Sequence, residues 1–189
     1  MTNLYPYTNN RRSIRLTKYD YSWPGAYFVT ICTHHRMEIF GKIIDRKIEL
    51  NELGEIVNEE WSKSEIIRFE IKMDLFAIMP NHIHGIVMIK PNVGDGHVGA
   101  HGRAPLRRNN TIPYRAPKSL GSFIAGFKSI CTRRINQLRE TPGKPVWQRN
   151  YHEHIIRDEN SLRKIREYIV NNSFAWQMDK YHVSSRSNS

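Results

Sequence analysis

The stretch Met79-Pro80-Asn81-His82-Ile83-His84-Gly85-Ile86-Val87-Met88-Ile89 restricts the fold more than any other part of the chain. Its second half is apolar, broken only by Gly85, and predicts a buried strand. Side chains alternate along a strand, so His82 and His84 point one way and Ile83 the other. Two imidazoles about 7 Å apart on one face are within reach of a single cation. Pro80-Asn81 is turn chemistry that delivers the pair at the strand's start. Taken alone, the same residues also describe two satisfied polar side chains at a strand end.

A chain of 189 residues suits one domain, 1–189, with a proper core. Lys plus Arg number 29 against 18 Asp plus Glu, a net charge of +11. That excess favours a polyanionic partner, nucleic acid before an anionic membrane. No apolar run of about 18 residues is present, so no membrane span is expected. The polar N-terminus has no signal segment. Two isolated cysteines, Cys32 and Cys131, fit a reduced, cytoplasmic protein without disulfides or a zinc knuckle.

Residues 1–20 form a basic arm with Arg11, Arg12, Arg15 and Lys18, suited either to a phosphate backbone or to a disordered leader. Ala26 to Thr33 is β-branched and aromatic and predicts the first core strand. Ile39 to Leu50 is a short hairpin or an irregular excursion. Asn51 precedes an acidic helix running to about Ile66, with Leu53, Ile56, Val57, Trp61 and Ser64 at helical spacing. Being acidic, it should lie away from any nucleic acid. Phe69 to Met79 predicts a strand with Leu75, Phe76, Ala77 and Ile78 entering the core, paired antiparallel with the His-x-His strand. Residues 91–117, rich in Gly, Pro, Asn and Arg, form a flexible basic loop, either a flap over nucleic acid or a tolerated insertion. Ser119 to Arg139 is a helix with a stripe of Leu120, Phe123, Ile124, Phe127, Ile130, Ile135 and Leu138. Its Lys128, Arg133, Arg134 and Arg139 meet no acid in sequence until Glu140, a face suited to phosphates. Val146 to Arg157 reads as a loop entering a strand. The last helix spans about Glu159 to Asn172, with Leu162, Ile165 and Ile169 as its stripe. Residues 182–189 are a frayed tail. The predicted order is β-α-β-β-α-β-α.

There is no Walker loop, no G-x-S-x-G and no G-x-G-x-x-G behind a strand. Tyrosine, serine or a metal-bound water remain as nucleophiles. A phenol is weak at its ordinary pKa and needs an electrophile polarised by a cation and held in line. Tyr168 and Asn172 stand four apart on one helix, so an amide oxygen accompanies that phenol at one-turn spacing. Two imidazoles plus an amide oxygen suit Mg²⁺ or Mn²⁺ and leave positions open for a phosphodiester. His152 and His154 form a second His-x-His, and spacing does not decide between the pairs. Tyr151 is a rival nucleophile.

Met-Pro-Asn-His-Ile-His-Gly-Ile-Val, then Trp147 to Glu159, then Glu167-Tyr168-Ile169-Val170-Asn171-Asn172 occur in an order that resembles the REP-associated tyrosine transposases. That group lies within the IS200-like single-tyrosine transposases and the His-hydrophobe-His endonucleases. Ile14-Arg15-Leu16, Tyr19-Asp20-Tyr21 and Tyr27 to Ile31 also match, so the resemblance covers about residues 11–180. It implies an α+β fold: a ferredoxin-like antiparallel sheet with helices packed on one face and the nucleophile on a C-terminal helix. It implies metal-dependent cutting and joining of single-stranded, hairpin-forming DNA repeats through a 5′-phosphotyrosine. By position, Tyr168 matches the nucleophile, His82 and His84 the metal-binding pair, and Asn172 the helix-borne ligand. Relatives usually carry proline after that asparagine, and Ser173 replaces it here. The expected partner is hairpin DNA, contacted by Arg12, Arg15, Lys128, Arg133, Arg134, Arg149 and Arg157, with the protein a monomer or homodimer. The competing readings are a protein that binds structured single strands without cutting, and a metal hydrolase whose nucleophile is water.

Overall fold

The computed structural model describes residues 21–91 and 118–176. The basic arm with Arg12 and Arg15, the loop after Pro91 and the tail lie outside the described residues. In chain order the elements are β1 (Gly25–Cys32), β2 (Gly41–Ile44), β3 (Lys47–Leu50), α1 (Glu52–Ile67), β4 (Ile71–Met79), β5 (His82–Ile89), α2 (Leu120–Leu138), β6 (His152–Ile156) and α3 (Glu159–Val170). Local chemistry sets the helix starts. Asn51 Oδ1 accepts from the N–H groups of Leu53 and Gly54, Ser119 Oγ from Ser122, and Asp158 Oδ1 from Ser161. Each cap satisfies donors that a helix start otherwise leaves open, worth about 1 kcal/mol.

Four strands form one antiparallel sheet in the order β4-β5-β1-β6, with β2 and β3 as a separate hairpin. The hairpin turns on Asp45 and Arg46, both at positive φ, as a two-residue connection between twisted strands requires. β4 and β5 pair from Met79 opposite His82, as the Pro80-Asn81 turn predicts. A bulge between Met73 and Phe76 inserts one extra residue. It keeps Met73 and Phe76 on one face and leaves Leu75 39% exposed, not in the core.

β5 is buried along nearly its whole length, so both of its faces need covering. Ile83 and Val87 face α1 and α2, in a cluster with Trp61, Phe123, Ile124 and Phe127. Ile86 faces the other way, with Phe28 and Ile156, against Leu162, Ile165 and Ile169 of α3. The expectation of helices on one face is therefore corrected: α1 and α2 share one face and α3 covers the opposite one. Strand alternation requires this, because the side carrying His82, His84 and Ile86 is as buried as the side carrying Ile83 and Val87. α3 is tied down by Arg166, whose Nε and Nη2 donate to Asp74 Oδ2 at the β4 bulge, at 3.1 and 2.6 Å.

The stripe predicted for α2 also shifts. Cys131 and Asn136 are buried while Leu138 is 48% exposed. Arg134 reaches across to α1, with Nη1 at 2.5 Å from Glu60 Oε1 and Nη2 at 3.0 Å from Glu59 Oε2. The acidic and basic helices thus lie side by side. Both cysteines are buried, and neither is in a disulfide.

Gly85 is fixed by a close approach. The Trp61 indole packs directly against it, and any Cβ there would overlap the ring. Trp61 is also within 5.2–5.8 Å of Phe76, Phe123 and Phe127, centroid to centroid. Gly85→Ala should cost about 3 kcal/mol, at the top of the usual range for overpacking a core. Urea unfolding checks this. Adding Trp61→Leu should recover part of the loss, a coupling that a double-mutant cycle reads directly.

Candidate active site

Between the sheet and α3, β5 presents His82 and His84, 0% and 1% exposed. Each ring has a buried partner at Nδ1. His82 Nδ1 lies 2.8 Å from Asn81 Oδ1. His84 Nδ1 lies 2.8 Å from Oγ1 of Thr30, its cross-strand neighbour on β1. The two Nε2 atoms converge to 3.0 Å. Tyr168 comes down from α3 with its Oη 3.1 Å from His84 Nε2. Phe28 packs beneath, stacked on His84 at 5.3 Å and edge-on to Tyr168 at 6.0 Å. Tyr168 is 41% exposed, so a buried imidazole pair meets solvent through a phenol.

Asn172 follows one turn after Tyr168. It sits between Tyr168, in contact with His84, and Trp176, whose ring lies 5.9 Å from that of His82. Asn172 is 2% exposed, and its Oδ1 is buried with no hydrogen-bond partner among the described residues. α3 already ends at Val170, capped by Asn171, so Asn172 is placed without the proline that Ser173 replaces.

Among the described residues, no group of three or more His, Cys, Asp or Glu converges as a metal site. The candidate donors for a cation are the two imidazoles and, one helical turn beyond Tyr168, the Asn172 amide oxygen. The set fits one. Two neighbouring ligands bound at about 2.1 Å around one ion are about 3 Å apart, the separation of the Nε2 pair. The buried, unpartnered Asn172 oxygen is a polar atom that such an ion would satisfy.

The second His-x-His stands elsewhere. His152 and His154 share the sheet face of His82 and His84 but lie on β6, beyond β1, with Thr30 between His84 and His152. Two strand spacings, about 10 Å, separate the pairs. Partial desolvation and then the charge of Arg157 hold the His154 imidazole below its ordinary pKa. Tyr151 packs against the core cluster on the α1–α2 face, away from the imidazoles.

The basic candidates divide. Arg133, Arg149 and Arg157 are exposed. Lys128 Nζ donates to the carbonyls of Gln148, Arg149 and Asn150, so it holds the loop that presents Arg149. Arg134 is corrected from a member of an acid-free face to the bridge between α2 and α1. Its hydrogen bonds to the Glu60 and Glu59 carboxylates raise its pKa further. Thr30, Phe28, Asp74 and Trp176 were not singled out by sequence, and Asn81 only as a turn residue. Cross-strand register, the one signal that could find Thr30, needs the sheet order.

No family model matches the sequence. An uncharacterised protein of Haemophilus influenzae is 39% identical over 177 residues, spanning 93% of this chain and 94% of that one. Among solved structures, a REP-associated tyrosine transposase bound to a REP hairpin aligns over 88% of this chain and 77% of its own, at a TM-score of 0.57 and 17% identity. A candidate transposase of Deinococcus radiodurans aligns at a TM-score of 0.39 and 14% identity, over 83% and 95%, too distant to carry weight. The chain belongs to the same family as the Haemophilus influenzae protein, on a fold similar to that of a REP-associated tyrosine transposase.

Proposed function

We propose that this protein is a metal-dependent single-strand DNA endonuclease and strand transferase, acting on hairpin-forming repeats with Tyr168 as nucleophile. One observation carries the reading: a half-exposed phenol lies 3.1 Å from a buried imidazole whose Nε2 is paired with a second Nε2. Packing alone does not call for a phenolic oxygen against two inward-facing nitrogens. The fold neighbour bound to a REP hairpin and the +11 charge support a DNA partner.

His82, His84 and Asn172 would hold Mg²⁺ or Mn²⁺, which would supply charge neutralisation at the non-bridging oxygens of the scissile phosphate. The remaining steps belong to the chain and the DNA. Tyr168 Oη attacks phosphorus, its proton leaving to solvent, and a bond from Oη to phosphorus forms. The bond to the 3′-oxygen breaks, and that oxygen takes up a proton. The product is a 5′-phosphotyrosine and a free 3′-hydroxyl. A second DNA hydroxyl then attacks the phosphotyrosine, rejoins DNA and returns the phenol. Phe28 and the rigid strand beneath hold the phenol and imidazoles in register, the positioning such a transfer needs.

Three outcomes test this reading. Tyr168→Phe should abolish the covalent protein–DNA adduct on a hairpin oligonucleotide and leave hairpin affinity within about twofold, since one hydroxyl is lost. Tyr151→Phe should still form adduct. An adduct that survives Tyr168→Phe and vanishes in Tyr151→Phe moves the nucleophile, and no adduct in the wild type favours a non-cleaving binder or a water nucleophile. His84→Ala should collapse both cleavage and Mn²⁺ binding measured by calorimetry, while His152→Ala and His154→Ala retain Mn²⁺ binding. Hairpin affinity should fall steeply with salt. Arg133→Ala and Arg149→Ala should each lower the slope by about one, whereas Arg134→Ala, already paired with Glu59 and Glu60, should leave it unchanged.

A further inference from the structure

We infer that Asn81 and Thr30 are positioning residues that keep the Nε2 lone pairs of His82 and His84 turned toward a shared cation; the inference rests on the metal site proposed above.

The polarity of the Asn81 contacts carries it. Asn81 is fully buried, and its Nδ2 donates to the carbonyl of Arg36 at 3.3 Å. A carbonyl accepts only, so the amide cannot turn over without setting two acceptors against each other. Asn81 Oδ1 therefore faces His82 Nδ1 at 2.8 Å as an acceptor, and His82 must carry its proton on Nδ1. The neutral ring then has its lone pair on Nε2, the atom that faces His84. A ligating imidazole is commonly oriented through its second nitrogen in this way, and loss of the partner typically costs 10- to 100-fold in metal affinity, by order of magnitude.

The Asn81 amide is itself held. Its backbone carbonyl accepts from Thr33 N–H at 2.9 Å and from Thr33 Oγ1 at 3.0 Å. The Arg36 carbonyl is aimed by a tight turn in which His35 and Arg36 both take positive φ, 53° and 55°. Non-glycine residues adopt that region at a cost, so two in succession mark a turn fixed by its surroundings. The same Thr33 hydroxyl lies 2.8 Å from Met37 O, so its one proton is shared between the two carbonyls. The end of β1 and the turn after it thus form a brace under Asn81.

Thr30 serves His84 from the neighbouring strand. It is 2% exposed, it pairs directly with His84 in the sheet register, and its hydroxyl sits 2.8 Å from Nδ1. With that hydroxyl accepting from Nδ1–H, the second lone pair also lies on Nε2. With both protons on Nδ1, two lone pairs 3.0 Å apart face each other, an arrangement that a shared cation would stabilise.

The test uses the full chain without DNA. Ring-nitrogen chemical shifts of the metal-free protein read the tautomer of His82, and calorimetry with Mn²⁺ alone reads affinity. Wild type should carry the His82 proton on Nδ1, and Asn81→Leu should lose that preference. Thr30→Val matches the shape of threonine and keeps the strand, so it covers the case in which Asn81→Leu does not fold. It should weaken Mn²⁺ binding about tenfold or more at unchanged Tm, and Thr30→Ser should restore most of the loss. A wild-type His82 protonated on Nε2, or Thr30→Val binding Mn²⁺ as wild type does, would overturn the inference. If His82 carries Nδ1–H through Asn81 and wild type binds no Mn²⁺, the Asn81 assignment stands and the metal reading falls.

Discussion

The packing of Trp61 against Gly85 is the contact on which the rest of the molecule depends. It lets α1 and α2 close onto the middle of β5 at a distance no other residue at position 85 would allow. With that face sealed by the indole and by Phe123 and Phe127, the other face of the same strand is committed. His82, His84 and Ile86 must point to the opposite side, where α3 covers them. A one-residue slip of β5 would send both imidazoles into the α1–α2 core. Burial of the apolar face therefore fixes the register of the site.

The geometry of α3 follows from two anchors of different kinds. Leu162, Ile165 and Ile169 seat its apolar stripe, while Arg166 clamps it to Asp74 at the β4 bulge. The bulge has two effects: it turns Leu75 outward and it brings Asp74 to the helix. Tyr168 lies two residues past Arg166 and one turn before Asn172, so the clamp and the stripe together set where the phenol and the amide descend. Phe28 then packs against both rings, stacked on His84 and edge-on to Tyr168.

Much of this was legible in the sequence because local rules decided it. The Asn51 cap, the stripes of α1 and α3, the Pro80-Asn81 turn and the shared face of His82 and His84 need only neighbours in the chain. What required the third dimension was not legible. The second covered face of the sheet, the outward turn of Leu75 and the exposure of Leu138 follow from how the layers meet. The pairing of Arg134 with Glu60 joins residues 74 positions apart, so one cation of a run acid-free in sequence is neutralised in space. Thr30 as the partner of His84 rests on sheet register, and Asn81 as the partner of His82 on which way an amide turns. The likeness in fold to a REP-associated tyrosine transposase at 17% identity extends the architecture along most of the chain. The residues that would cut DNA still rest on the geometry of one phenol and two imidazoles.

That geometry is tested most directly by finding which residue becomes bonded to DNA. The full chain, incubated with a hairpin oligonucleotide and Mn²⁺, denatured and digested, should yield one nucleotide-modified peptide by mass spectrometry, with a phosphodiester on Tyr168. Modification of Tyr151, or cleaved DNA with no modified peptide at all, would contradict the assignment of Tyr168 as the nucleophile.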